Sequence, residues 1–151
     1  MSIDIEQVKQ LREETGVSIG KCKEALEEAG GDMERAREIL KEFSAKAAAK
    51  KADRDLNAGI VHAYVHPNNT LGVLLKLACE TDFVAKNDDF HTLAKDIAMH
   101  IAAMSPESVE ELLEQPFIKN PEQTIKKLIE GYVLKIGERI EVADFTRYAF
   151  E

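Results

Sequence analysis

The hydrophobic pattern of this chain changes its period near residue 57, and this change limits the folds that the chain can adopt. Before it, apolar side chains recur at the spacing of amphipathic α-helices. After it, residues 60–65 and 71–79 form two runs rich in β-branched and aliphatic side chains, which predict strands. The 151 residues suffice for one ordinary domain with a small appendage. We therefore predict an α+β fold.

Residues 1–44 predict a module of three short amphipathic helices joined by glycine-containing turns. Each predicted helix follows a residue whose side chain suits an N-cap, and glycines stand where the first two helices should end. A module of this size is only marginally stable alone. The predicted caps are Asp4, Ser18 and Asp32, and the helix-ending glycines are Gly16, Gly30 and Gly31.

Residues 45–56 are rich in alanine and lysine and predict a helical linker. This stretch has high helix propensity but few side chains worth burying. It is also the most basic part of the chain. A solvated spacer is the simpler interpretation, and contact with an acidic partner surface is the alternative.

Residues 57–151 predict a small antiparallel sheet covered by helices. The segment Pro67–Thr70 has the composition of a hairpin turn between the two strands. Three helices should follow, two of them beginning at Ser105-Pro106 and Asn120-Pro121, because proline is favoured at the first helical position. Residues 140–150 predict a final strand whose alternation is broken at Asp144.

Composition excludes several classes of function. The chain has 28 acidic against 20 basic residues and a net charge of −8, so phosphate backbones would repel it and we expect no direct contact with nucleic acid. No apolar run reaches the roughly 20 residues that cross a bilayer. The acidic N-terminus lacks the pattern of a signal peptide, and two cysteines far apart fit a reducing compartment. We expect a cytoplasmic protein.

No motif for catalysis or for cofactor binding is found in the sequence. Phosphate-binding glycine loops, dinucleotide-binding loops and zinc-protease motifs are all absent. His62 and His66 bracket a predicted strand, which would separate them by roughly 13 Å, and His91 and His100 belong to the following helix. Acidic pairs such as Glu13-Glu14 suit solvated helix faces. We predict a protein that is not an enzyme and has no metal or cofactor.

The segment Thr81-Asp82-Phe83-Val84, between the second strand and the first helix of the sheet domain, has two interpretations. Thr81 or Asn87 could cap a helix while Phe83 packs into the core as a hydrophobic staple, and the physics of the residues alone favours this. The alternative is an exposed loop tip that presents one acid and one aromatic ring, which is the composition of a binding hot spot.

Several separated stretches give the chain a resemblance to a known family. Leu77–Asn87 resembles the signature of bacterial and organellar elongation factor Ts. The N-terminal stretches Val8–Gly16 and Cys22–Leu26 resemble the ubiquitin-associated-like module of that family, and Ala98–Ala103 resembles a helix of its core. Gly137–Ile140 is similar to its closing helix-to-strand turn. The resemblance covers nearly the whole chain in the right order.

The resemblance implies a guanine-nucleotide exchange factor for elongation factor Tu. It implies that Thr81, Asp82, Phe83 and Val84 reach the magnesium site of this GTPase and displace the ion, with the aromatic ring as a wedge. It also implies that the N-terminal module contacts the nucleotide domain near three further positions. These positions are Arg12, Ile19 and Gly20.

The chain departs from the family in two places. Ile19-Gly20 stands where longer relatives often have two methionines, so a smaller apolar contact is expected there. Met104 is followed closely by Leu112, which leaves no room for a helical-hairpin insertion. This predicts a short form with one core unit, for which the resemblance leaves both monomer and homodimer open. The alternative function is a non-enzymatic interaction module of the ubiquitin-associated type.

Overall fold

The computed structural model describes residues 3–150, so the outermost residues of the predicted domains, 1–2 and 151, lie outside the description. Seven helices and five strands are found in the described part, and the predicted α+β class is confirmed. The helices are α1 Ile5–Thr15, α2 Ile19–Glu28, α3 Met33–Lys50, α4 Asp82–Ala85, α5 Asp88–Met104, α6 Val109–Glu114 and α7 Ile125–Ile136. The strands are β1 Ala58–Val65, β2 Leu71–Cys79, β3 Pro116–Phe117, β4 Asn120–Thr124 and β5 Ile140–Ala149.

The predicted caps of the N-terminal module are confirmed. Asp4, Ser18 and Asp32 each accept a hydrogen bond from a backbone N–H in the first turn of their helix, which satisfies a donor that the helix itself cannot. Gly16 ends α1 with φ +70°. The three helices enclose a small core of buried apolar side chains, including Leu11.

The predicted linker is in part a continuation of α3, and part of it packs on the core where we expected a solvated spacer. Helix α3 runs unbroken from Met33 to Lys50 and packs along α7. Ala47 and Ala48 lie against the main hydrophobic core. Alanine contributes little apolar area, but its small side chain lets two helices approach closely, and composition alone did not reveal this. The predicted boundary at residue 44 falls inside α3, and the division into three domains stays a prediction.

Strands β1, β2 and β5 form one antiparallel sheet in the order β1-β2-β5. Lys76 pairs with Asp144 and Leu77 pairs with Val142, so Ala143 is an extra residue at this point of β5. This bulge explains why the alternation fails at Asp144. One face of β2 is buried against the helices, and the opposite face of the sheet carries exposed apolar side chains.

Two helices begin later than the prolines predict. Helix α6 begins at Val109 after the N-cap Ser108, and Pro106 lies before it. Asn120-Pro121 begins the short strand β4, and α7 begins only after the N-cap Thr124. Proline also suits turns and edge strands, whereas the Ser108 and Thr124 hydroxyls each accept a first-turn N–H. The capping side chain, and not the proline, marks the start of the helix.

The main core lies between the sheet, α5 and α7. Helix α5 contributes a continuous buried stripe, and the fully buried Leu75 and Leu77 of β2 face the same core. Among the helices within residues 3–150, none combines the length and apolar character needed to cross a membrane.

Candidate functional site

The four residues Thr81–Val84, which we call the tip, lie where β2 ends and α4 begins. Thr81 is the N-cap of α4, and its hydroxyl accepts a hydrogen bond from the Val84 N–H at 3.3 Å. Helix α4 has only four residues, and Asn87 caps α5 immediately afterwards. The sequence Thr81–Asn87 therefore forms two capped helix starts in succession.

The side chains of the tip divide between solvent and core. Phe83 is 83 % exposed and Val84 is only 5 % exposed. The prediction that Phe83 acts as a core staple is wrong, because Val84 and Ala85 are the residues that anchor α4 in the core. Asp82 is exposed beside Phe83, and within residues 3–150 its carboxylate has no hydrogen-bond partner. The tip thus presents one acid and one aromatic ring to solvent.

Glu138, in the turn between α7 and β5, holds the base of the tip. The N–H groups of Glu80 and Thr81 both donate to its Oε1 atom at 3.1 Å, and the Thr81 hydroxyl donates to its Oε2 atom at 2.7 Å. Three donors therefore converge on one carboxylate. Hydrogen bonds to an ionised acceptor are about twice as strong as neutral ones.

Arg139 ties the same two turns together from the other side. Its backbone N–H donates to Glu80 Oε2, and its guanidinium donates to the Arg54 carbonyl oxygen at 2.7 Å. Arg54 also forms an ion pair with Glu80 at 3.5 Å. The end of the predicted linker, the base of the tip and the α7–β5 turn thus share one polar network.

Two titratable groups, Cys79 and His91, hydrogen-bond to the backbone of the tip and of α4. Burial, with the negative charge of Glu138, raises the pKa of the Cys79 thiol to about 11, so this cysteine is a neutral thiol and not a nucleophile. His91 donates to the Ala85 carbonyl oxygen at 2.8 Å. In the described part of the chain no group of His, Cys, Asp or Glu could hold a metal ion.

The predicted contact residues of the N-terminal module lie on its surface. Arg12 is exposed near the end of α1, and Ile19 is 53 % exposed in the first turn of α2. A side chain added at Gly20 would meet no other atom within 4 Å, so this position is open to solvent. Whether these residues bind a partner stays a prediction.

Lys135 of α7 connects the module to the sheet domain. Its Nζ atom lies 3.2 Å from Asp89 Oδ1 in the first turn of α5. The same side chain lies against Gly16, where an added Cβ would come within 2.6 Å of Lys135 Cε. Lys135 therefore links the end of α1 to the start of α5, the helix that follows the tip.

Sequence reasoning did not assign roles to Glu138, Arg139 and Lys135. Glu138 and Arg139 belong to the stretch Gly137–Ile140 that carried part of the resemblance, and this was the signal available for them. A charged pair between a helix-ending glycine and a strand lies at a turn, where its charges can reach a neighbouring turn. No local pattern indicates which turn that is.

The fold and the site define a class of protein: a small α+β protein that presents an exposed acid and aromatic ring and that also carries a compact helical module. Comparison with known sequences agrees with this and is more specific. The model of the family Elongation factor TS matches residues 23–111 and 80–150. The chain belongs to the elongation factor Ts family, and its role is that of a translation elongation factor.

Similar proteins named elongation factor Ts come from several bacteria. One from Carboxydothermus hydrogenoformans is 41% identical, with 97% of this chain and 88% of the relative aligned. One from Petrotoga mobilis is 39% identical, with 99% of this chain and 98% of the relative aligned. These alignments run over 191 and 194 positions, whereas this chain has 151 residues, so the relatives contain residues that have no counterpart here.

Proposed function

We propose that this protein is a guanine-nucleotide exchange factor that promotes GDP release from elongation factor Tu. The observation that carries the proposal is the exposure of Phe83 beside Asp82 on a turn held by Glu138. A large apolar ring left mostly in solvent contributes little to the stability of the free protein. Aromatic side chains of this kind are enriched among the anchors of protein interfaces.

The proposed mechanism is a linkage between two ligands of the GTPase. Asp82 and Phe83 enter near the magnesium site of elongation factor Tu and displace the ion, which neutralises phosphate charge in such sites. A protein that binds the nucleotide-free GTPase more tightly than the GDP-bound form weakens GDP binding by the same factor. No bond is made or broken in this protein, so the proposal requires neither an enzyme active site nor a cofactor.

The N-terminal module supplies the second contact in this proposal. Arg12, Ile19 and Gly20 contact the nucleotide domain of the GTPase, and the exposed Ile19 side chain provides the apolar part of that contact. The proposed place of action is the cytoplasm, where both free and GDP-bound elongation factor Tu are present.

The direct test measures the release of a fluorescent GDP analogue from elongation factor Tu, with excess unlabelled GDP and increasing amounts of this protein. We expect the release rate to rise with the concentration of this protein, at amounts well below one per GTPase. A release rate that does not change at micromolar concentrations would reject the proposal.

A homodimer is a second part of the proposal, and the open face of the sheet supports it. Val61 and Val65 of β1, Leu74 of β2 and Tyr148 of β5 are all exposed on the described chain. Apolar side chains gathered on one sheet face are typical of protein interaction surfaces. Sedimentation analysis should show a dimer that Leu74→Lys converts to a monomer, and a monomeric wild type at assay concentrations would refute this part.

The alternative function, a general interaction module of the ubiquitin-associated type, rests on residues 1–44 alone. It gives no reason for the exposed Phe83 or for the hydrogen bonds that hold the tip. GDP release that stays unchanged in the presence of this protein, together with binding of another partner that is lost on changing Ile19, would favour it.

A further inference from the structure

We propose that Glu138 is a positioning residue that sets the direction of the tip for nucleotide exchange; this inference rests on the exchange function proposed above. Glu138 lies 57 residues from Thr81 in the chain, yet its two carboxylate oxygens accept three hydrogen bonds from Glu80 and Thr81 at the base of the tip. It does not belong to the tip itself. It acts through Thr81.

Thr81 transmits this constraint to the exposed residues. Its hydroxyl donates to Glu138 Oε2 and accepts from the Val84 N–H, so one oxygen joins Glu138 to the first turn of α4. Its carbonyl oxygen accepts from the Ala85 N–H at 3.1 Å and from the Cys79 thiol at 3.3 Å. All the polar groups of Thr81 are therefore engaged. The next two residues, Asp82 and Phe83, start from a fixed backbone direction.

The short length of α4 explains why this turn needs the hydrogen bonds that Glu80 and Thr81 donate to Glu138, which we call the Glu138 clamp. A helix of one turn is not stable by itself, because its nucleus fixes several residues for few hydrogen bonds. The buried Val84 and Ala85 hold the far side of the turn, and Glu138 holds the near side. An interface residue that is ordered before binding loses less conformational entropy when the complex forms. The clamp therefore favours the binding step without touching the partner.

The experiment compares Glu138→Ala and Glu138→Gln with the control Glu114→Ala, which removes the same charge from an exposed position on α6. A displacement of about 1 Å can lower a rate about 100-fold, so we expect Glu138→Ala to lower the exchange rate at least about tenfold. Glutamine keeps a carbonyl acceptor and a polar group facing Thr81, so Glu138→Gln should recover most of the activity. The control should exchange at the wild-type rate.

Two measurements separate positioning from other effects. Amide hydrogen exchange at Val84 should become faster in Glu138→Ala by more than the accompanying fall in global stability, measured by chemical denaturation, can account for. A double-mutant cycle with Phe83→Ala should show less than additive losses, since both changes act on the same contact. If Glu138→Ala unfolds in the assay, Glu138→Asp performs the same test, because it keeps the charge but shortens the reach of the carboxylate to Thr81.

The outcomes distinguish this inference from the proposed function. A wild type without exchange activity removes the proposed function. An active wild type with an equally active Glu138→Ala removes the positioning role. Equal losses in Glu138→Ala and Glu138→Gln would show that the charge acts on the partner directly, which also overturns the inference.

Discussion

Phe83→Ala is the clearest test of whether Phe83 binds a partner or stabilises the fold, because its effect on stability can be worked out from the structure. Phe83 is 83 % exposed, so less than a fifth of its surface is removed from water in the free protein. With roughly 200 Å² for a fully buried phenylalanine and about 25 cal/mol per Å², that fraction stabilises the fold by about 1 kcal/mol or less. Phe83→Ala should therefore leave the melting temperature within a few degrees of the wild type.

The expected effect on exchange is much larger. Truncation of an aromatic anchor at an interface typically costs about 2 kcal/mol or more, which corresponds to roughly 30-fold in affinity. The assay is the release of labelled GDP from elongation factor Tu, measured over a range of Phe83→Ala concentrations. We expect Phe83→Ala to need a roughly 30-fold higher concentration than the wild type to reach the same rate of GDP release. The substitution leaves the N-terminal contact and the Glu138 clamp in place.

Phe90 provides the matched control within the same chain. It is the same residue type, seven positions further on, but it is fully buried in the main core. Phe90→Ala should cost about 3–5 kcal/mol of stability, with a clear fall in the melting temperature. The reasoning is refuted if Phe83→Ala destabilises the protein as much as Phe90→Ala does, or if it exchanges nucleotide at the wild-type rate.

Three further predictions concern stability. Gly59→Ala should lower the free energy of unfolding by about 3 kcal/mol or more. Gly59 has φ +155°, and an added Cβ would collide with the Leu77 carbonyl oxygen of the neighbouring strand. Chemical denaturation checks this. Gly16→Ala should cost less, about 1–2 kcal/mol, because only its φ of +70° is fixed and the Lys135 side chain can move. Burial lowers the pKa of His100, so the unfolded chain binds a proton that the folded chain does not, and stability should fall as pH drops below about 6.5. His100→Gln should flatten that pH dependence, and an unchanged slope would assign it to other groups.

The elements that sequence reasoning predicted correctly are those whose determinants are local. The N-caps Asp4, Ser18 and Asp32 use side chains that reach N–H groups within three residues, so the sequence contains the whole interaction. The hairpin strands follow the same rule, since Pro67–Thr70 joins strands that pair directly. The predictions based on Pro106 and Pro121 failed because proline is compatible with several backbone states and only its surroundings select one.

The sequence could not predict whether the Phe83 side chain is buried or exposed, because this depends on a small difference in the direction of α4. In a single turn, one residue position decides which side chain meets the core, and here Val84 occupies that place. The direction of this turn is set by Glu138, which is distant in sequence. When a distant residue sets the direction of a turn, the local sequence does not show which of its apolar side chains is buried in the core and which is exposed for binding.

The unbroken helix α3 changes what the two proposed contacts can do together. On a flexible linker, the module carrying Arg12 and Ile19 would find its partner surface independently of the tip, and the entropy of the linker would oppose simultaneous contact. In the structure, α3 packs along α7, and Lys135 of α7 contacts both Gly16 and Asp89. The module is therefore packed against α7 of the sheet domain and is not carried on a free linker. If the proposed exchange function holds, binding of one contact would place the other closer to its target at a lower cost in conformational entropy than a free linker allows.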